Sequence, residues 1–341
     1  MSIKVLIVDD SAVVRNILSR ELAKDPAISV VGSAPDPLEA SDKIDSLHPD
    51  VVTLDIGMPR MGGLTFLRGL MKHMPLPVII VSALTPKGSK LALEALELGA
   101  LDIIQKPGGI TSMPEMVGEL AAKIKAAAGA RVRLSAAAPA VARPKAAPAV
   151  SGSPVRTLVA IGASTGGTQA IQTVLTGLPD SIPPILIVQH MPAGFTRAFA
   201  DRLNGLCPFE VKEAEQGDSV APNRVLVAPG NYHMQLARQG TRFSVDISDG
   251  PKVQRQRPAA EVLFLSMARL AAPMSIGVIL TGMGADGAAG MLEMKKAGAR
   301  TIAQDEQSCV VFGMPKEAIA LGGVDQVLPL DRIADAVMRM A

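Results

Sequence analysis

Thr157-Leu158-Val159-Ala160-Ile161-Gly162-Ala163-Ser164-Thr165-Gly166-Gly167 runs from a wholly apolar segment straight into a glycine-rich turn. A short apolar run bounded by glycine reads as a strand buried on both faces. The turn spaces a serine as Gly162-Ala163-Ser164-Thr165-Gly166, the pattern of a nucleophile elbow, in which a strand bends sharply into a helix and presents a hydroxyl at its apex. Helix N-terminal amides beside such a serine can hold an oxyanion. Similar turns also cradle phosphates, so the reading of Ser164 depends on what converges on it.

The same alternation of strand and helix extends in both directions. Upstream, Val5-Leu6-Ile7-Val8, Val30-Val31-Gly32, Val51-Val52-Thr53-Leu54, Val78-Ile79-Ile80-Val81 and Asp102-Ile103-Ile104 read as five buried strands, with helices such as Ser11–Leu22 and Lys87–Leu98 between them. Downstream, strands are expected at Leu158–Ile161, Ile185–Val188, Ile276–Leu280 and Thr301–Ala303. Tyr232–Leu236 and Phe243–Ile247 alternate in period two, as a hairpin insert would. The expected fold class is therefore α/β: a flavodoxin-like five-stranded parallel sheet, followed by a second doubly wound domain with a mostly parallel sheet and a β-hairpin insert. Between them, residues 126–153 are small and Pro-punctuated, a composition that cannot bury enough apolar surface to offset chain entropy. The expected division is 1–125, a linker over 126–153, and 154–341.

Composition agrees. The 341 residues are 48% hydrophobic but only 2% aromatic, with no Trp, which suits aliphatic parallel sheets covered by helices. A net charge of +2 leaves no nucleic-acid footprint. The two cysteines, Cys207 and Cys309, lack metal-ligand spacing, and Cys309 reads as core ahead of Val310-Val311. With no signal-peptide pattern and no long uninterrupted apolar stretch, the expectation is a cytoplasmic protein with no membrane insertion.

Asp9 and Asp10 follow the first strand, Asp55 the third, Ser82 the fourth and Lys106 the fifth. Carboxyl ends of parallel strands line one crevice, and three carboxylates there call for a hard cation such as Mg²⁺. Val8-Asp9-Asp10-Ser11, Leu54-Asp55-Ile56-Gly57-Met58-Pro59, Val81-Ser82-Ala83 and Gln105-Lys106-Pro107 resemble the receiver domain of two-component response regulators. The resemblance implies that Asp55 accepts a phosphoryl group from a histidine kinase. It also implies that Asp9, Asp10, Asp55 and the Gly57 carbonyl hold Mg²⁺, that Lys106 and Ser82 bind the phosphoryl oxygens, and that Lys106–Pro107 is a candidate cis bond. Ile103 stands where many receivers carry an aromatic switch residue, and Gly57 and Gly62 where acidic residues are frequent.

In the second domain His190 ends the strand after the serine turn, and is the better candidate for a general base than His233 in the hairpin. Asp286, in Thr281-Gly282-Met283-Gly284-Ala285-Asp286-Gly287, is the best orienting acid, ahead of Asp201, Asp246 and Asp305; it could equally cap the helix that follows it. The order Ser164, His190, Asp286 departs from that of α/β-hydrolases. Ile161–Gly167, Val188-Gln189-His190-Met191-Pro192 and Thr281–Gly287, with Phe195-Thr196-Arg197, Ala228-Pro229-Gly230 and Gly313-Met314-Pro315, resemble the catalytic domain of chemotaxis protein-glutamate methylesterases. That resemblance implies a Ser-His-Asp hydrolase acting on γ-glutamyl methyl esters of chemoreceptors, and on receptor glutamines. Main-chain N–H groups near Thr165 and Met283 become oxyanion-hole candidates, and the chemotaxis histidine kinase and chemoreceptors become the partners. No cofactor is expected for ester hydrolysis. Phosphorylation of Asp55 is expected to relieve a receiver covering the Ser164 cleft. Lys252-Val253-Gln254-Arg255-Gln256-Arg257 is a compact basic cluster, either a solvated loop or a surface that steers an acidic receptor helix.

Overall fold

The computed structural model describes residues 2–58, 62–83, 85–106, 113–130 and 155–341. The chain forms two compact units, residues 1–136 and 137–341.

In the first unit, strands β1 (Ile3–Val8), β2 (Ile28–Ala34), β3 (Val51–Leu54), β4 (Val78–Ala83) and β5 (Asp102–Lys106) alternate with helices α1 (Ala12–Leu22), α2 (Pro37–Leu47), α3 (Gly63–His73), α4 (Pro86–Glu97) and α5 (Met113–Ala127). The strands are parallel in the order β2-β1-β3-β4-β5. All four residues of β3 are buried, as expected for a central strand covered by helices on both faces. Side chains placed one residue before the helices start them: Ser11 Oγ accepts the Val14 N–H, and Asp36 accepts from Leu38 and Glu39. The order reverses between β1 and β3, so Asp9 and Asp55 leave adjacent strands at the switch point, where open sheets bind ligands. Helix α5 runs to Ala127, so the first two residues of the expected linker are helical. Residues 131–153 of that linker, Pro154 after it, and Pro107 of the expected cis bond lie outside the described residues.

The second unit is built on seven parallel strands in the order β14-β13-β12-β6-β7-β9-β8. Its elements run β6 (Leu158–Ala163), α6 (Gly167–Thr176), β7 (Ile185–Gln189), α7 (Phe195–Leu206), β8 (Glu210–Glu213), β9 (Arg224–Val227), β10 (His233–Gln239), β11 (Arg242–Ser248), α8 (Ala260–Ala271), β12 (Ser275–Ile279), α9 (Ala288–Lys296), β13 (Arg300–Gln304), α10 (Met314–Ala320), β14 (Gln326–Leu328) and α11 (Leu330–Met340). β6, β7 and β12 are buried along their whole length. Each large aliphatic side chain placed there contributes about 1.5–3 kcal/mol of burial. β10 and β11 form a separate antiparallel hairpin, as period two implies. Three strands went unread in the sequence. β8 (Glu-Val-Lys-Glu) and β14 are short edge strands with little apolar signal, and β9 is a four-residue strand ahead of the hairpin that joins the main sheet.

Chain order in this sheet steps from β6 to β7 on one side and resumes at β12 on the other. The switch point is therefore between β6 and β12. Ser164 follows β6, Thr281 to Asp286 follow β12, and His190 follows β7 next door.

Candidate active site

The serine turn is shaped by local chemistry and by the neighbouring strand. Gly166, the N-cap of α6, has φ +77°, a left-handed conformation that a side chain would strain. Ser164 N–H donates to the Thr281 carbonyl at 3.0 Å, which ties the elbow to the end of β12. Thr281 Oγ1 in turn donates to the Thr165 carbonyl at 3.0 Å and accepts the Val311 N–H at 3.0 Å. A β-carbon on Gly282 would come within 2.7 Å of the Ser164 β-carbon, so glycine is needed for this close approach. Ser164 itself is 8% exposed, enough to be reached from one side only.

His190 N–H donates to the Ala163 carbonyl at 3.1 Å, so His190 and Ser164 leave adjacent strands at the same level. Between them the buried Gln189 side chain donates through Nε2 to the Ser164 carbonyl at 2.9 Å and to the His190 carbonyl at 3.2 Å. Gln189 thus clamps the two turns together. It was missed from sequence because it lies inside an apolar strand, where a lone glutamine was the available signal.

The imidazole orientation is defined by Asp286. His190 Nε2 lies 2.7 Å from Asp286 Oδ2, with both side chains buried. His190 Nδ1 is buried and has no hydrogen-bond partner among the described residues. A neutral ring that donates from Nε2 leaves Nδ1 bare, so Nδ1 is the nitrogen available to take a proton. Asp286 also accepts main-chain N–H groups from Ala260 (2.6 Å, to Oδ2) and Glu261 (3.0 Å, to Oδ1). These are the first N–H groups of α8, so Asp286 caps that helix and not α9, which follows it in sequence; the helix dipole favours its negative charge.

The competing acids are occupied elsewhere. Asp246 accepts from Gln216, Asp305 from Ser308, and Asp201 is exposed on α7. His233 is buried, with Nε2 3.0 Å from the Pro251 carbonyl and Nδ1 accepting the Ala259 N–H at 3.3 Å. Of the oxyanion candidates, Thr165 and Met283 flank the serine turn, and the Met283 main-chain N–H has no protein acceptor among the described residues. Arg257 does not belong to the free basic cluster: its guanidinium holds the Asp249 and Gly250 carbonyls and Asn231 Oδ1. Lys252 and Arg255 remain exposed.

Cys309 is core, as its neighbours suggest, and burial pushes its thiol up to about 12. Cys207 is buried too. Maleimide at neutral pH is expected to leave both unmodified in the native protein and to label both after denaturation. Rapid labelling of native Cys309, followed by mass spectrometry, would contradict the packing described.

In the first unit the strand ends bring Asp9, Asp10 and Asp55 together, with carboxylate oxygens within 4.8 Å of one another. Lys106 Nζ lies 2.7 Å from Asp9 and 2.6 Å from Asp55, and the Gly57 N–H donates to the other Asp55 oxygen at 2.8 Å. Burial raises the Asp9 carboxyl above the usual carboxylate range in spite of Lys106. Burial also opposes the Lys106 charge, but Asp55 and Asp9 outweigh it and hold the ammonium protonated. Ser82 is buried at the end of β4. The all-oxygen donor set suits a hard divalent cation.

Residues 159–337 match the model of the CheB methylesterase family, and residues 5–118 match that of the response regulator receiver domain. The chain belongs to the CheB methylesterase family. A relative from Syntrophus aciditrophicus, named protein-glutamate methylesterase/protein-glutamine glutaminase 2, is 58% identical over 99% of both chains. One of the same name without the number, from Salmonella choleraesuis, is 51% identical over 98% of this chain and 96% of its own. The crystal structure of the Thermotoga maritima CheB methylesterase catalytic domain superposes with a TM-score of 0.53 and 40% identity, covering 54% of this chain and 98% of that one. Within this CheB methylesterase chain, the convergence of Ser164, His190 and Asp286 on one sheet edge falls inside the matched region.

Proposed function

We propose that this chain is a phosphorylation-controlled hydrolase that removes methyl groups from γ-glutamyl methyl esters of chemoreceptors and deamidates receptor glutamines. The observation that carries the reading is the bare, buried Nδ1 of His190, on a ring anchored through Nε2 to Asp286, in a residue whose main chain bonds the Ala163 carbonyl just before Ser164. Relatives of the same architecture over their full length carry the matching name.

In this reading His190 Nδ1 takes the Ser164 proton as Oγ attacks the ester carbonyl. The tetrahedral oxyanion is met by main-chain N–H groups of Thr165 and Met283, each such donor contributing roughly 3 kcal/mol. The imidazolium, stabilised by Asp286, returns its proton to the departing methoxide, and methanol leaves. Water, activated by the same nitrogen, then hydrolyses the acyl-enzyme and restores glutamate. With a glutamine substrate the leaving group is ammonia and the steps are otherwise the same. Lys252 and Arg255, the exposed remainder of the basic loop, are the surface offered to an acidic receptor helix.

Asp55 is the phosphoryl acceptor from the chemotaxis histidine kinase. Asp9, Asp10, Asp55 and the Gly57 carbonyl would hold Mg²⁺, which when bound neutralises charge on the transferring group. Lys106, freed from its carboxylates, pairs with the phosphoryl oxygens, and Ser82 donates to them.

The test is methanol release from methylated receptor membranes, with and without a small-molecule phosphodonor and Mg²⁺. Release is expected to rise with phosphodonor, and Asp55→Asn is expected to remove the rise while keeping the basal rate. Release indifferent to phosphodonor would discard the control and keep the hydrolase; no release from folded protein would discard both.

A further inference from the structure

Neither of the two helices that meet at Asp286 can cap itself. Helix α8 has Ala259 at its N-cap and α9 has Gly287, and neither supplies a side-chain hydrogen bond. A helix start buried in this way needs acceptors from elsewhere. Each helix receives them from the other. Asp286, the residue before Gly287, accepts the Ala260 and Glu261 N–H groups of α8. Glu261, in the first turn of α8, accepts the Gly290 N–H of α9 at 3.0 Å. Gly287 has φ +86°, and a β-carbon there would come within 2.9 Å of Phe264 and 3.1 Å of Ala260, so the two helix starts lie in direct contact.

We infer that Glu261 is a positioning residue for Asp286: by gripping the first turn of α9 it fixes where that helix begins, and so where the preceding carboxylate meets His190. The inference rests on the Ser164–His190–Asp286 reading. Asp286 holds His190 through one oxygen that it shares with Ala260, so a small shift of the α9 start moves the imidazole contact directly. Glu261 is 8% exposed, and Asp286 is the ionisable side chain acting on it among the described residues. His233, the other titratable group at this helix start, holds the Ala259 N–H and does not contact Glu261. Burial raises the Glu261 carboxyl, with the Gly290 N–H opposing the effect and the Asp286 charge adding to it. Folding therefore favours the protonated form, and that stability is present at low pH and lost as pH rises through the folded pKa. Where Glu261 is ionised, its charge adds to that of Asp286 at the shared helix start.

The decisive measurement is the pH profile of kcat for methanol release by wild type, Glu261→Gln and Glu261→Asp. Glu261→Gln is expected to lower kcat roughly ten- to hundredfold with little change in KM, as small misplacements of catalytic groups do. Losing the negative charge should also move the acid limb to lower pH by about half a unit. Glu261→Asp keeps the carboxylate and should keep the wild-type acid limb. The His190 ring titration, followed by NMR in a Ser164→Ala background, reads the same shift without turnover. A wild-type kcat together with a wild-type His190 titration in Glu261→Gln would overturn the inference. If Ser164→Ala still releases methanol, Ser164 is not the nucleophile and the triad reading fails, while the His190 titration continues to report on Glu261.

Discussion

Ser164→Ala is expected to lower methanol release roughly 10⁴-fold or more while leaving the protein folded. Both halves of the expectation come from the same geometry. The Ser164 hydroxyl makes no hydrogen bond to protein among the described residues, so its removal orphans no buried partner. The β-carbon that packs against Gly282 is kept, and the main-chain bonds from Ser164 N–H to Thr281 and from Gln189 to the Ser164 carbonyl do not involve the side chain. In the proposed mechanism, what is lost is the atom that attacks the ester. Thermal unfolding within a degree or two of wild type, with turnover at background, is the expected pair of results. Substantial residual release would mean that water, and not Ser164, attacks the ester.

The parts of this arrangement that could be read in the sequence are those written as local pattern. β6, β7 and β12 are buried on both faces, so they appear as unbroken apolar runs, and the residues at their carboxyl ends could be assigned to one sheet edge before any coordinates. The parts that could not be read are tertiary. β8 and β14 lie at sheet edges and carry polar or exposed residues, so they have no apolar signature. Asp286 looked like a cap for its own helix because N-caps are usually local, whereas it caps α8 across the sheet edge. The absence of any capping residue at Ala259 was the available hint. Arg257 looked like part of a free basic cluster because charge in a loop usually faces water, and its engagement with Asn231 depends on the hairpin returning beside it. Which ring nitrogen of His190 faces the serine turn depends on side-chain placement alone, and sequence carries no trace of it.

That ring orientation makes Asp286→Asn the more informative of the two large-effect substitutions. Asp286 accepts three hydrogen bonds, from His190 Nε2 and from the Ala260 and Glu261 N–H groups. An asparagine can accept with one atom only; its NH₂ must face at least one of these donors. If the NH₂ faces His190, the ring shifts its proton to Nδ1 so that Nε2 can accept. The nitrogen beside the serine turn is then protonated and no longer a base, and kcat should fall by roughly 10⁴, the scale seen when a triad histidine is held in the wrong tautomer. In that arrangement the Ala260 N–H, which shares Oδ2 with His190, faces the same NH₂ and is orphaned at a buried helix start, costing about 1–3 kcal/mol. If the amide instead turns its oxygen to His190, the tautomer survives but the Glu261 N–H is orphaned at similar cost. The two outcomes separate cleanly. NMR of the His190 ring shows the proton on Nδ1 in the first and on Nε2 in the second, and both lower the unfolding temperature. A variant that keeps full stability and full turnover would remove Asp286 from both the triad and the α8 cap. Loss of turnover with Nε2 still protonated would show that the carboxylate acts mainly through its charge on the imidazolium, and not through its choice of tautomer.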